Sequence, residues 1–377
     1  MRILVLNHEF PPVGGGGGRA CADLARALAR RGHDVRILTA GAPGLPDREN
    51  VNGCEVIRLA TGRRSRTRAG LPDMLRYVAA SAVAGTRHVR RWKPAVLHAH
   101  FAVPAGAAAW FVHRVTGIPY VLTAHLGDVP GGVPEKTGGW FRWIQPWTPS
   151  IWRSAAAVVA VSQHTRALAL QHYQVPVQVI PNGVDLARWK PASLEPGHPP
   201  RLIFAGRFQP QKNVPGLVSL LHRLRDIPWT CEILGDGTER PEVEERIRGF
   251  GLQDRIRLPG WIDSAAVDAR LGASDVLVLP SRQEGLPVVG VQALAAGLAI
   301  VGSRVGGLTE LIEDGVNGRS CEPEHSECFV EALRWCLADR ARLKELRRAS
   351  LRKADAYDLE QVASAYEQVF AAAVGSR

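Results

Sequence analysis

The sequence lacks several features that would fix its role at once. Within its 377 residues no apolar run reaches the roughly 18 residues of a membrane-spanning helix. The stretch from Ala102 to Val112 comes closest, and His113 and Arg114 close it. The N-terminal segment MRILVLN is too short for a signal peptide and runs directly into Pro11, Pro12 and five glycines, so it reads as a buried strand and a loop. Cysteine is sparse. Cys21, Cys54, Cys231, Cys321, Cys328 and Cys336 form no CxxC pair and have no histidine cluster beside them. That pattern gives a structural metal site little weight and is expected of free thiols in a reducing cytosol. Acidic residues are scarce in one half only. Residues 1–190 carry 24 Lys/Arg against 10 Asp/Glu, a net of +14 within the chain's total of +11. The second half is therefore slightly acidic. Such asymmetry predicts an acidic partner for the first half.

What is present is the composition of a globular protein long enough for two domains, 46% hydrophobic and 22% charged. Short apolar segments at Ile3–Leu6, Val35–Leu38, Glu55–Leu59, Ala95–His98, Tyr120–Thr123, Ala157–Val161 and Val177–Ile180 alternate with helical patterns at Arg19–Arg31, Pro72–Trp92, Pro104–Val115 and Gln163–Gln171. A second series follows the proline-rich stretch 191–200, with strands at Leu202–Ala205, Trp229–Leu234, Ile256–Leu258, Val276–Leu279 and Ala299–Val301. Strand–helix alternation means parallel sheets with crossover helices, and such sheets bind ligands at the carboxyl ends of their strands. The reading is an α/β chain of two doubly wound domains: residues 1–186, a linker at 187–200, residues 201–356, and an amphipathic final helix within 357–377.

The polar motifs all fall at strand ends. In residues 280–307 the apolar strand VLVLP gives way to a polar loop with Glu284-Gly285-Leu286, and Pro287 stands where a helix can begin. The N–H groups of Gly285 and Leu286 at that helix start would suit an anion. A carboxylate at Glu284 would accept hydrogen bonds from sugar hydroxyls and stabilise developing positive charge. In residues 202–213 a strand ends at Gly206-Arg207, and Lys212 follows: a bidentate cation and a point charge, apt for a diphosphate. Residues 179–185, VIPNGVD, contain the turn pair Asn182-Gly183, which tolerates positive φ. The loop 9–20 contains Gly15, Gly16 and Gly17, whose amides could form an anion nest. A dinucleotide fingerprint there would need an acid after the second strand, but Thr39-Ala40 stands in its place. His125 and Asp128 follow a strand end in VLTAHLGDV. Gly235 and Trp261 lie in two further strand-end loops.

Together these segments resemble retaining glycosyltransferase family 4 over nearly the whole chain. The resemblance implies a GT-B fold, two Rossmann-like domains facing a central cleft, with the final helix crossing back to the N-terminal domain. It implies transfer of a hexose or N-acetylhexosamine from a nucleoside diphosphate sugar to a sugar or lipid-linked acceptor, in cell-envelope glycan synthesis. Glu284 and His125 carry the catalytic roles on this reading. Gly15, Gly16, Gly17, Arg207, Lys212, Gly285, Leu286 and Gln292 hold the donor, and Asp128, Asn182, Gly235 and Trp261 are subsidiary candidates. The family's signature places two glutamates around seven other residues, and Gln292 stands at the second, where a glutamate holds the ribose. If Gln292 only replaces that acid, restoring glutamate should tighten nucleotide binding or leave it unchanged. No DxD motif suits a bridging metal, so no metal and no other cofactor is expected, and nucleic acid is not an expected partner. The alternatives are an epimerase or phosphorylase on the same fold, a non-catalytic sugar-nucleotide-binding protein, and an NAD-dependent oxidoreductase, which the missing acid disfavours.

The location is read as cytoplasmic, with a peripheral position at an anionic membrane face. Trp140, Trp143, Ile144, Trp147 and Ile151 fall at helical spacing near Arg142 and Arg153, and Arg63, Arg64, Arg66 and Arg68 form a basic run. Aromatic residues beside cations suit a headgroup layer. The alternative is a core-facing stripe and a solvated loop.

Overall fold

The computed structural model describes residues 1–65, 69–133, 139, 141–189, 191 and 193–375. Two compact units emerge: residues 1–183 with 359–377, and residues 184–358.

The first unit contains β1 (Arg2–Leu6), α1 (Gly16–Arg30), β2 (Asp34–Ala40), β3 (Arg48–Val51), β4 (Cys54–Leu59), α2 (Leu71–Trp92), β5 (Val96–His100), α3 (Ala107–Thr116), β6 (Tyr120–Ala124), α4 (Phe141–Ile144), α5 (Thr148–Arg153), β7 (Ala157–Ala160), α6 (Gln163–Leu170) and β8 (Val177–Val179). Its strands form one sheet in the order β3-β4-β2-β1-β5-β6-β7-β8. All pairings are parallel except β3 with β4. The strands are apolar on both faces because helices cover both. Ile3 and Val5 join a core with α1, while Leu4 and Leu6 face one with Ala108, Val112 and Trp152.

The second unit contains β9 (Arg201–Ala205), α7 (Val214–His222), β10 (Thr230–Leu234), α8 (Arg240–Gly249), β11 (Ile256–Gly260), α9 (Ser264–Gly272), β12 (Val276–Leu279), α10 (Val288–Ala295), β13 (Ala299–Ser303), α11 (Leu308–Leu311), β14 (Gly318–Cys321), α12 (Ser326–Ala338) and α13 (Arg340–Ala354). Its parallel sheet runs β11-β10-β9-β12-β13-β14. Asp275, fully buried before β12, ties the start of the sheet together. It accepts from the N–H groups of Gly197 and Arg201 and pairs with Arg201 (3.0 Å) and Arg347 (2.6 Å). The Arg347 guanidinium is buried as well, so the charges are matched where water cannot reach them.

The last helix, α14 (Leu359–Gly375), belongs to the first unit. Leu359, Val362, Tyr366, Val369 and Phe370 bury one stripe in the core beside α1. At 1.5–3 kcal/mol for each large side chain, that stripe contributes roughly 10 kcal/mol of gross stabilisation. Exposed pairs of Arg30 with Glu360 (3.0 Å) and Arg31 with Glu367 (2.7 Å) add little but fix the helix's place.

Several expectations change. The first helix begins three residues before Arg19, within the glycines, and β3 and β14 carry no strong apolar signal. Cys321 and Cys328 are joined by a disulfide, leaving four buried free cysteines, so the reading of six free thiols fails. The argument from cysteine for a reducing compartment goes with it. Neither Asn182 nor Gly183 adopts positive φ. Gly183 is needed for a close approach instead: a Cβ there would lie 3.0 Å from the Leu359 Cα. The segment 141–153 is no continuous stripe. Trp143 and Trp147 are exposed, while Ile151 and Trp152 are buried. Arg63 is buried and donates to the carbonyls of Ser65 and His8, which removes it from any basic surface run. Trp140, Arg66 and Arg68 lie outside the described residues. No described helix is long and apolar enough to cross a membrane.

Candidate active site

The candidates fall into two groups, one in each unit. In the second unit the chain builds β9, β10 and β11 to one side, then returns to place β12 against β9. The carboxyl ends of β9 and β12 therefore flank the point where the strand order reverses, the usual ligand position in such sheets. Arg207 and Lys212 follow β9, and Glu284 follows β12.

The structure brings Lys212 and Glu284 together. Lys212 Nζ lies 2.6 Å from Glu284 Oε1, and Ser281 Oγ donates to the same oxygen at 2.7 Å. Glu284 is 4% exposed, and a carboxylate so far from water needs partners of this kind. The two loops are stitched together besides. Gln211 Nε2 donates to the Gln283 carbonyl and Arg282 N to the Gln211 carbonyl, while Gly307 N, from the loop after β13, donates to the Glu284 carbonyl. Pro287 is the N-cap of α10, so Gly285 and Leu286 immediately precede the helix; Leu286 is buried.

Gln292 sits one turn into α10, buried, and its Nε2 donates to Asp268 Oδ1 of α9 at 3.1 Å. Asp268 was invisible to sequence reasoning because no spacing links it to Gln292. Gly235 has a structural explanation. Its φ is +130°, and a Cβ would lie 1.9 Å from the Gly206 carbonyl, so only glycine lets the β10 and β9 ends meet. Trp261 is exposed, in the loop after β11.

In the first unit the strand order reverses between β1 and β5, and β6 lies beside β5. His125 follows β6. Asp128 clamps two loops: one carboxylate oxygen accepts from His125 N (2.9 Å) and the other from Ala102 N (2.5 Å). This joins the ends of β6 and β5. His125 Nε2 lies 3.3 Å from His100 Nδ1, and its ring packs on Phe101, 4.3 Å between centroids. His98 lies against His100 with its ring tilted and bonds Thr123 Oγ1, which in turn meets Tyr366 of α14 at 2.9 Å. Burial dominates the titration of these rings. It lowers His125 to about 4, opposed by Glu9 and aided by His8, and lowers His98 to about 3. Each is a neutral imidazole at pH 7. His98 and His100 were not matched to a motif; the H-x-H spacing at a strand end was the available signal.

The glycine loop differs from an open phosphate nest. Gly15 N donates to Glu9 Oε2 at 3.1 Å, and Glu9 is buried. In this structure the Gly15 amide is therefore taken by a carboxylate. Gly16 is the exposed first residue of α1. Gly17 is glycine because a Cβ would come within 2.5 Å of the Phe101 ring.

Comparison with known proteins decides the family. Residues 14–188 match the family model Glycosyltransferase Family 4, and residues 186–353 match Glycosyl transferases group 1. A glycogen synthase of Mycobacterium tuberculosis is 31% identical, over 99% of this chain and 95% of its own length. The chain belongs to glycosyltransferase family 4. This glycosyltransferase has the GT-B fold, two parallel-sheet α/β domains. Among solved structures, sucrose-phosphate synthase from Thermosynechococcus elongatus superposes with a TM-score of 0.87 at 23% identity, covering 99% of this chain and all of that one. HepE from Anabaena, solved with UDP and glucose, gives 0.77 at 20% identity over 98% and 99%.

Proposed function

We propose that this glycosyltransferase moves a hexose or N-acetylhexosamine from a nucleoside diphosphate sugar, with retention at the anomeric carbon. The observation that carries the reading is the Lys212–Glu284 pair at the reversal point between β9 and β12. Arg207 grips the diphosphate, and Lys212 turns from Glu284 toward it as its charge grows. The amides of Gly285 and Leu286 add dipolar support. Two cations do the work of a metal here, so none is required. Glu284, freed of its full ion pair, accepts sugar hydroxyls and faces the positive charge that develops at the anomeric carbon. His125, held neutral, donates or accepts a hydrogen bond to the sugar without opposing that charge. We assign no side chain the role of nucleophile. The acceptor oxygen therefore attacks from the leaving-group side: its bond to the anomeric carbon forms as the bond to phosphate breaks, and its proton passes to the departing phosphate oxygen. Glu9 and the glycine loop suit acceptor hydroxyls better than phosphates.

A thermal-shift screen against UDP-, GDP- and ADP-sugars tests the donor class, since a ligand that binds only the folded state raises its melting temperature. Proton NMR of the product reads the anomer. No stabilisation by any sugar nucleotide, or an inverted product, would overturn the reading.

A lipid-linked acceptor at an anionic membrane is favoured by one further observation. On packed helices α2 and α3, Leu75, Val83, Phe111 and Val115 are exposed, and Arg76, Arg87, Arg90, Arg91 and Arg114 lie on the same two helices. Asp73 is the lone acid in either helix. Apolar side chains set among cations suit a headgroup layer. Sedimentation with anionic vesicles should fall as salt rises and weaken in Phe111→Ser. Equal partition with neutral vesicles would remove the electrostatic part.

A further inference from the structure

The reading of Gln292 as a nucleotide contact leaves a question of charge, because an amide stands where the family places a carboxylate. The structure supplies a carboxylate one side chain away. Gln292 Nε2 and Asp268 Oδ1 are 3.1 Å apart, across the packed helices α9 and α10. A carboxylate can only accept hydrogen bonds, so it is the NH2 group of Gln292 that faces Asp268. The amide oxygen is left to accept from elsewhere. An amide in this state offers what a glutamate would offer: an acceptor oxygen, with negative charge close behind it.

We propose that Asp268 is a positioning and specificity-determining residue for the nucleotide. It holds the Gln292 amide so that Oε1 accepts from a ribose hydroxyl, and its own carboxylate keeps the negative charge near the sugar of the nucleotide. The proposal rests on the donor-binding reading above. It reverses the expectation that glutamate at 292 would be harmless. In Gln292→Glu two carboxylates would meet at hydrogen-bond distance in a mostly buried place, and like charges so close either repel or must share a proton. Changing Asp268→Asn in the same chain exchanges the two groups. The amide then stands on α9 and the carboxylate on α10, with one hydrogen bond and one charge as before.

The experiment is titration calorimetry of the full chain with UDP, GDP and ADP. The 2′-deoxy and 3′-deoxy forms of the tightest binder follow, and circular dichroism confirms each variant's fold. The wild type should discriminate against one deoxy form, and Gln292→Ala should bind the parent nucleotide more weakly and lose that discrimination. Gln292→Glu should bind at least tenfold more weakly. The double variant Asp268→Asn, Gln292→Glu should return to within about threefold of wild type and regain discrimination, the coupling expected of two groups that act as one. If Gln292→Ala binds and discriminates as the wild type does, or no nucleotide binds the wild type, the donor-site reading itself fails. If Gln292→Ala weakens binding but the double variant is no better than Gln292→Glu alone, Gln292 contacts the nucleotide and Asp268 does not set its function. Near-normal binding by Gln292→Glu also overturns the proposal, since the charge repulsion it requires would be missing.

Discussion

The two units prepare their candidate residues by opposite means. In the first, His98, His100 and His125 are buried as neutral rings, held by stacking and by a chain of uncharged hydrogen bonds that ends at Tyr366. In the second, a cationic and an acidic side chain are paired, Lys212 against Glu284, and the start of the sheet is tied by the buried Asp275–Arg347 pair. A neutral donor or acceptor can address a hydroxyl without a large desolvation cost. A phosphate needs full charge, and full charge in a protein must be kept in company until the ligand arrives. The arrangement suits a division of labour: hydroxyl recognition in one unit, diphosphate recognition in the other.

Acid should break this comparison most sharply. The buried histidines stay neutral down to about 4 (His125) and about 3 (His98), whereas an unfolded-chain histidine titrates near 6.5. Between those limits the unfolded state binds more protons, so stability is full above roughly pH 6.5 and is lost as pH falls through the folded values. Each such ring costs up to about 1.4 kcal/mol per pH unit in that window. Among described residues the second unit buries no histidine, so the early loss should come from the first. Hydrogen exchange at pH 7 and pH 5 would locate it, and equal loss in both units would contradict the assignment.

Next in size is the frame of the second unit. Asp275→Ala leaves Arg347 buried without its partner and should cost about 3–5 kcal/mol, read by urea unfolding. Lys212→Ala follows. With the fold intact, turnover should drop on the order of 100-fold through lost stabilisation of the leaving diphosphate. Activity close to wild type would separate Lys212 from the chemistry. Cys328→Ser is the smallest. It opens the short loop closed with Cys321 and should lower the second unit's stability by about 2 kcal/mol, with turnover unchanged.

The sequence was most legible where local pattern and global position coincide. VLVLP followed by a polar loop is a buried strand with its ligand end marked, and β12 with Glu284 stands where that pattern put it. The same holds for Arg207 and Lys212 after β9. Two kinds of feature escaped. Partnerships across the fold leave no spacing to read: Asp268 with Gln292, Glu9 with the Gly15 amide, and Cys321 with Cys328. Surface and core are also hard to separate in short segments, which is why Arg63 passed for a solvated cation and Trp152 for nothing at all. Glycines hid a third kind of feature. Gly17, Gly183 and Gly235 read as ligand loops or turns, and the sequence could not show that a Cβ at each would also crowd another part of the protein, most severely at Gly235.

The place of α14 has a consequence for synthesis. The first sheet's strands leave the ribosome early, but the apolar face that Tyr366 and Phe370 cover stays open while all of residues 184–358 are translated. The second unit, though later in the chain, is the first whose every element is available. Nascent chains halted before residue 359 should therefore present a finished second unit and an uncovered first one, the form most in need of a chaperone's protection.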